Sequence, residues 1–245
     1  MDEENGQPIV EAWREQFGDA GGVSLRGELA HFPELEHAIA LPELQTDVLE
    51  GSYLSWNGEG IEGPVHVIWR TSDGTRVGML SLDFFTAEGE ISLEDMHLPR
   101  GYQAQGLGRA VVAELAALGD ALGIEALITM AADVGRYAWA RCGFDFMEDD
   151  TRHLVVRSAA EFAGALGRPF DGSSIAHSWE LAEYAGEDVP LAQVAQLRGE
   201  EPPPEDAPAI KFGQALLLGP RNNDWPGRLE LAAGSPSRTQ LAREE

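Results

Sequence analysis

The clearest alternation of apolar and polar positions begins at Val65. Val65, Val67 and Trp69 fall on one side of an extended segment that stops at the turn Ser72-Asp73-Gly74, and Val77 to Phe85 returns as its partner strand. A second turn at Ala87-Glu88-Gly89 leads into Ile91 to Leu98, so three consecutive antiparallel strands are predicted. The period then changes. Leu107, Val111, Leu115, Leu118 and Leu122 recur every three or four residues, which predicts a helix with one apolar stripe, ended by Gly123. Ile124 to Met130 is a continuous apolar run of strand length, and Asp133 is placed to cap a second helix that runs to Cys142 and stops at Gly143. Phe144 to Met147 and His153 to Arg157 read as two closing strands around the acidic turn Glu148-Asp149-Asp150. This order predicts an α/β fold with a mixed, mostly antiparallel sheet flanked by helices.

Outside residues 61–157 the pattern is weaker. In segment 1–60, expected to belong to the same domain, Val23 to Leu29 alternates like an exposed strand, and Pro33 to Leu44 has helical spacing between prolines. Residues 158–232 form a C-terminal extension. There Ser158-Ala159-Ala160-Glu161 has the spacing of a capping box opening a helix with Phe162 and Leu166. Asp188-Val189-Pro190 opens another helix, with Leu191, Val194 and Leu197 inside and Gly199 at its end. Glu200 to Asp206 reads as an extended acidic spacer, Ile210 to Leu218 as a helix, Arg228 to Leu231 as a strand, and residues 233–245 as a disordered tail.

Charge narrows the partners. The formal net charge is −25, from 17 basic and 42 acidic residues. A field of that sign repels nucleic-acid phosphates and favours cationic partners. The acidic start Met1-Asp2-Glu3-Glu4 and the lack of an apolar run near the roughly 20 residues that span a bilayer predict a cytoplasmic location without membrane contact. One cysteine, Cys142, excludes an intramolecular disulfide and a multi-cysteine zinc site, and the six histidines show no ligand spacing, so no metal is expected.

Two glycine patterns compete for phosphate chemistry. Gly58-Glu59-Gly60-Ile61-Glu62-Gly63 matches a dinucleotide fingerprint by letter, but Pro64 and a strand follow where that motif needs a helix, so it is read as a loop. The second, Gln103-x-x-Gly106-x-Gly108, joins a strand directly to a helix. There the first-turn amides and the helix dipole form an anion cradle that small glycines leave open. This spacing resembles the pyrophosphate-binding motif of the GNAT superfamily, the acyl-coenzyme A dependent N-acyltransferases. Downstream, Ala138-Trp139-Ala140-Arg141-Cys142-Gly143-Phe144 resembles the second signature of that superfamily, a helix ending in Gly-Phe. The resemblance covers residues 61–157.

The resemblance implies acetyl-coenzyme A as acyl donor, held by Met96, His97, Leu98, Gln103, Ala104, Gln105, Gly106, Leu107, Gly108 and Arg109, with an amine as acceptor. It implies that the strand ending at Leu98 splays from its neighbour near Ile128, and that amides near Met96 and Leu98 polarise the thioester carbonyl. A carboxylate on that strand is the natural base; Glu94 is the choice, with Glu90, Ser92 and His97 as competitors. The family's tyrosine acid, four residues before the glycine of the second signature, is Trp139 here, which leaves Tyr137, Tyr102 or water for that role. Tyr137 is the named candidate. Asp133 stands where an asparagine is frequent. The expected function is therefore transfer of an acetyl or other acyl group to a primary amine of a small molecule or peptide, with a cationic acceptor suggested by the acidic surface. The alternative is a non-catalytic module of this fold that binds coenzyme A or a protein partner. The extension has three open roles: covering the acceptor groove, pairing with a second copy as a homodimer, or presenting a partner surface.

Overall fold

The computed structural model describes residues 7–17, 21–103, 105–133, 135–220 and 224–243. In chain order the elements are α1 (Gln7–Phe17), β1 (Gly22–Ser24), α2 (Pro33–Ala38), β2 (Gln45–Val48), β3 (Tyr53–Trp56), β4 (Ile61–Arg70), β5 (Arg76–Phe85), β6 (Glu90–His97), α3 (Leu107–Leu122), β7 (Ala126–Ala131), α4 (Gly135–Arg141), β8 (Asp145–Phe146), α5 (Asp149–Ala165), α6 (Ser178–Ala182), α7 (Leu191–Arg198), α8 (Phe212–Leu218), β9 (Trp225–Glu230) and α9 (Pro236–Leu241). The chain divides into two compact units, Met1–Thr129 with Leu229–Glu245, and Met130–Arg228. The fold is α/β, with a mixed and mostly antiparallel sheet and helices against it, as expected.

The first unit carries the strand order β1-β3-β4-β5-β6-β7, with β2 also paired to β4. Every pair from β1 to β6 is antiparallel, whereas β6 and β7 are parallel because α3 carries the chain back across the sheet between them. Alternation decides the core. Val65, Val67, Trp69, Leu80, Leu82, Phe84, Ile91 and Leu93 share one sheet face and are buried, along with Val111, Leu115 and Leu118 of α3. Trp13 of α1 packs edge-on against Phe32 at 5.1 Å and donates its indole N–H to Glu34, and Trp69 donates to the Ile39 carbonyl at 2.8 Å. These two indoles thus satisfy their one donor. Gly123 ends α3 in the left-handed region, as its position predicted. Of the Gly58–Gly63 pattern, expected to be a loop, only Gly58–Gly60 is one, closed by Asn57, whose side-chain oxygen accepts from the amides of Glu59 and Gly60; Ile61, Glu62 and Gly63 already belong to β4.

The end of the chain departs from the expected disordered tail, because residues 236–241 form α9 in this unit. Ser235 caps its first turn, Pro236 occupies the position where a missing N–H costs nothing, and Arg238 pairs with Asp120 of α3. Arg109 donates through Nη1 to the carbonyls of Gln240, Leu241 and Arg243 at 3.3, 3.0 and 2.8 Å. A polar tail looked structureless in sequence because its partners lie more than a hundred residues away.

The second unit is mostly helical. The strand expected at His153–Arg157 is a correction: those residues lie inside α5, and the boundary expected at residue 158 falls within the same helix. Asp149 and Asp150, read as a turn, are its first-turn acids, where the helix dipole favours negative charge. Val155, Ala159, Phe162 and Ala163 form its buried stripe, so Ser158 sits mid-helix and caps nothing. Asp133 likewise lies two residues before α4, with φ of 46°, and its carbonyl accepts from Arg136. Leu191–Arg198 and its Gly199 cap form as expected. β8 pairs antiparallel with β9 through Asp145 with Arg228 and Phe146 with Gly227. Asp145 also receives Nδ1 of His177 at 2.5 Å and the Ser178 amide at 2.9 Å, which ties α6 to β8. Arg136 is 2% exposed and spends its guanidinium on the carbonyls of Pro220 and Leu218, with burial lowering its pKa.

Candidate active site

The junction between β6 and α3 has the backbone of an anion site. Gly106 caps α3 with φ of +76°, a conformation that costs an L side chain about 1–2 kcal/mol. A Cβ there would meet nothing within 4 Å, so the space before the helix is open. Among the described residues no side chain caps the first turn, and no acidic residue lies in it, which leaves its amides without a competing acceptor from the helix's own side chains. Gly108 has the opposite constraint: its Cβ would stand 3.1 Å from Cε of Met96, so glycine lets α3 seat closely on β6. Gln103 and Gln105 are exposed and brace the loop, donating to the carbonyls of Leu98 and Gly101, each at 2.6 Å. The junction brings Met96, His97, Leu98, Gln103, Gln105, Gly106, Leu107 and Gly108 together. Ala104 lies outside the described residues. Arg109 belongs to the same turn, but its Nη1 serves the last turn of α9.

β6 changes partners along its length. It pairs with β7 only over Glu90–Leu93 against Ala126–Thr129, and Thr129 Oγ1 closes that ladder on the Leu93 carbonyl at 2.9 Å. From Asp95 to His97, among the described residues, its ladder partner is β5 alone. Backbone polar groups on an unladdered edge are receptive to an extended ligand.

Glu94 sits at an irregularity. Leu82 pairs with Leu93 and Ser81 with Asp95, so Glu94 is an extra residue with no opposite number on β5. Such a bulge redirects a side chain. Glu94 is exposed, and its Oε1 accepts from Ser92 Oγ at 2.6 Å, which places both on the face opposite the apolar core. Of the other carboxylates considered, Glu90 lies half-buried at the start of the strand. Tyr102 is on a short 3-10 turn at Arg100–Tyr102, half-buried.

That polar face extends further than the sequence reading reached. His66 of β4 pairs with Ser81 of β5, and its Nδ1 lies 2.6 Å from Ser81 Oγ. Asp83 pairs with Ser92 across the β5–β6 ladder. Its carboxyl is held above the usual carboxylate range, first by burial and then by the charge of Glu94, against the pull of His66. The signal was present: His66, Ser81 and Asp83 interrupt the apolar strands at period two. A cavity of about 670 Å³ lies elsewhere, along β2 and the end of β4, and its charges are already paired as Arg26 with Glu50 and Arg70 with Asp47. The β6–α3 junction is the better candidate because, among the described residues, no side chain caps the first turn of α3.

In the second unit the Gly-Phe signature forms as expected. Gly143 takes φ of 96° after α4, and Phe144 turns back to donate its amide to the Trp139 carbonyl. Trp139 is 7% exposed and packs against the Phe144 ring at 5.4 Å, so it is a core residue of its unit. Cys142, three residues further on, is buried, and Tyr137 is half-buried on α4.

Residues 32–144 match the model of the acetyltransferase (GNAT) family. This segment belongs to the GNAT family. No curated protein matches the chain. Among solved structures the chain is similar to nourseothricin acetyltransferase, with 14% identity over 47% of this chain and 79% of that one, at a TM-score of 0.31. It is also similar to Tetrahymena GCN5, with 13% identity over 28% of this chain and 42% of that one, at 0.25, so it spans less than half of that structure. A third is the PaiA N-acetyltransferase of Thermoplasma acidophilum in complex with coenzyme A, with 15% identity over 60% and 86% of the two chains, at 0.29. Among the described residues no helix is long and apolar enough to cross a membrane, and no cluster of three or more metal-ligating side chains occurs.

Proposed function

We propose that this GNAT protein is an N-acyltransferase that moves an acetyl or other acyl group from coenzyme A to a primary amine. The observation that supports it most is the uncapped first turn of α3 behind the left-handed Gly106, at the strand that loses its β7 ladder after Leu93. An acyl-coenzyme A suits that place: the amides from Leu107 onward would meet its diphosphate, with Gln103 and Gln105 fixing the loop, and the open edge of β6 near Met96 and Leu98 would take its extended arm. When bound, it supplies the activated acyl carbon. The chain's own task is then proton handling. Glu94, aimed by the bulge and by Ser92, removes the proton from the incoming ammonium so that the amine can attack. The net charge of −25 favours a cationic acceptor.

The test is thiol release from acetyl-coenzyme A over a panel of amines. Robust release on at least one amine is expected, and Glu94→Gln should lower kcat about 10²- to 10⁴-fold with little change in KM for the donor. Release at the uncatalysed rate on every amine, with calorimetric coenzyme binding intact, would favour a second reading, a module that binds the coenzyme without turnover. Trp139 favours that second reading, since an indole cannot protonate the departing thiolate and its ring fills the core.

A further inference from the structure

Arg109 was expected at the coenzyme, yet its guanidinium is engaged elsewhere. It is the third residue of α3, and a side chain on a helix leans toward the N-terminus, here toward the first-turn amides. Its Nη1 nevertheless donates to the carbonyls of Gln240, Leu241 and Arg243 at 3.3, 3.0 and 2.8 Å. These lie at the end of α9, where carbonyls run short of amide donors and the helix dipole favours a cation. The other anchors of α9 are mostly polar. Ser235 caps its first turn, Arg238 pairs with Asp120 through partly exposed side chains, and of its buried residues, Ser237, Gln240 and Leu241, one is large and apolar. A helix of six residues does not persist by itself in water, so its order depends on these contacts.

We infer that α9 is a clasp that coenzyme A opens: the Arg109 guanidinium serves either the α9 carbonyls or the diphosphate, and filling the cradle releases the helix. This rests on the reading of the first turn of α3 as the diphosphate site. Hydrogen bonds from a guanidinium to an anionic oxygen are roughly twice as strong as those to a neutral carbonyl, and a phosphate takes two at once. A diphosphate seated on the α3 amides therefore outcompetes the peptide carbonyls for Arg109. α9 then loses the cation at its C-terminal end and keeps the Arg238–Asp120 pair, a partly exposed bridge of small worth. The coupling is reciprocal. By whatever factor the coenzyme loosens α9, the closed helix weakens coenzyme binding, so the end of the chain acts as a brake on the site.

Hydrogen exchange on the full chain reads the clasp directly. Saturating coenzyme A should quicken exchange of the 237–243 amides at least about tenfold. Arg109→Ala should quicken it without any ligand and abolish the response to the coenzyme. Asp120→Asn releases Arg238 and leaves the cradle untouched, so it serves even if Arg109→Ala does not fold. It should speed α9 exchange about two- to fivefold and tighten coenzyme A binding, by calorimetry, by the same factor. Protection of α9 that coenzyme A leaves unchanged or raises would overturn the clasp, as would an Asp120→Asn protein whose α9 loosens with no gain in affinity. In those cases the coenzyme still binds, and the reading of the cradle stands. Wild-type protein that gives no calorimetric binding at all removes that reading, and the clasp with it.

Discussion

The two glycine motifs of this chain, at Gly106–Gly108 and at Gly143, differ in what surrounds them. At the first, Gly106 and Gly108 hold a backbone shape and leave amides open; at the second, Gly143 holds a backbone shape while the neighbouring side-chain position has been given to the core through Trp139. A turn glycine can therefore adjoin either an open backbone site or a packed core residue. What survives at both places is a left-handed turn, which few residues other than glycine adopt without strain. What differs is whether the adjoining groups face open space or packed rings.

The strongest way to sharpen that contrast is Trp139→Ala. Deleting a buried indole should cost about 3–5 kcal/mol of folding stability, read as a lower urea midpoint at unchanged slope. A change under half a kcal/mol would mean the ring is not a core element. Next is Gly106→Val, which forces a branched side chain into the left-handed region in front of the open amides. Coenzyme A affinity should fall roughly tenfold or more by calorimetry, and Gly106→Asn, which tolerates that conformation, should lose less. Equal affinities for all three would break the assignment of the cradle. Trp139→Tyr keeps most of the packing and restores a hydroxyl; a rise in thiol release would show that the second signature limits turnover, and an unchanged rate would place the proton donor elsewhere.

The smallest effect concerns pH and stability. The folded protein raises the pKa of Asp83 above its unfolded value, so it binds that proton more tightly than the unfolded chain does. The associated stabilisation is present below the unfolded value of about 3.8 and is lost as pH rises through the folded one. Asp83→Asn should accordingly be slightly more stable than the wild type near neutral pH, the advantage disappearing in acid. Thermal melts at several pH values check this, and an advantage that grows in acid would contradict the sign.

How much could be read in advance follows from where the information lay. β4, β5, β6 and α3 were legible because each carries a strong period of two or of 3.6 and a glycine or acidic turn at its end. α5 was misread because Asp149-Asp150 serves as well to begin a helix as to make a turn, and Val155-Val156 favours a strand locally; the packing of Ala159 and Phe162 decides it. α9 was missed since its anchors, Arg109 and Asp120, are distant in sequence. In the site, Glu94 could be named from its strand, but the bulge that singles it out from Asp95 is a register property. Asp83 belongs to the site only through pairing across β5 and β6, which no local pattern encodes.

The lone sulfhydryl has a practical corollary. Cys142 is 6% exposed under the Gly143 turn, so a disulfide reagent added to count liberated coenzyme should meet almost no background from the folded protein. The same reagent becomes a clock: a slow extra equivalent appearing without any amine would time the opening of the helical unit around that residue.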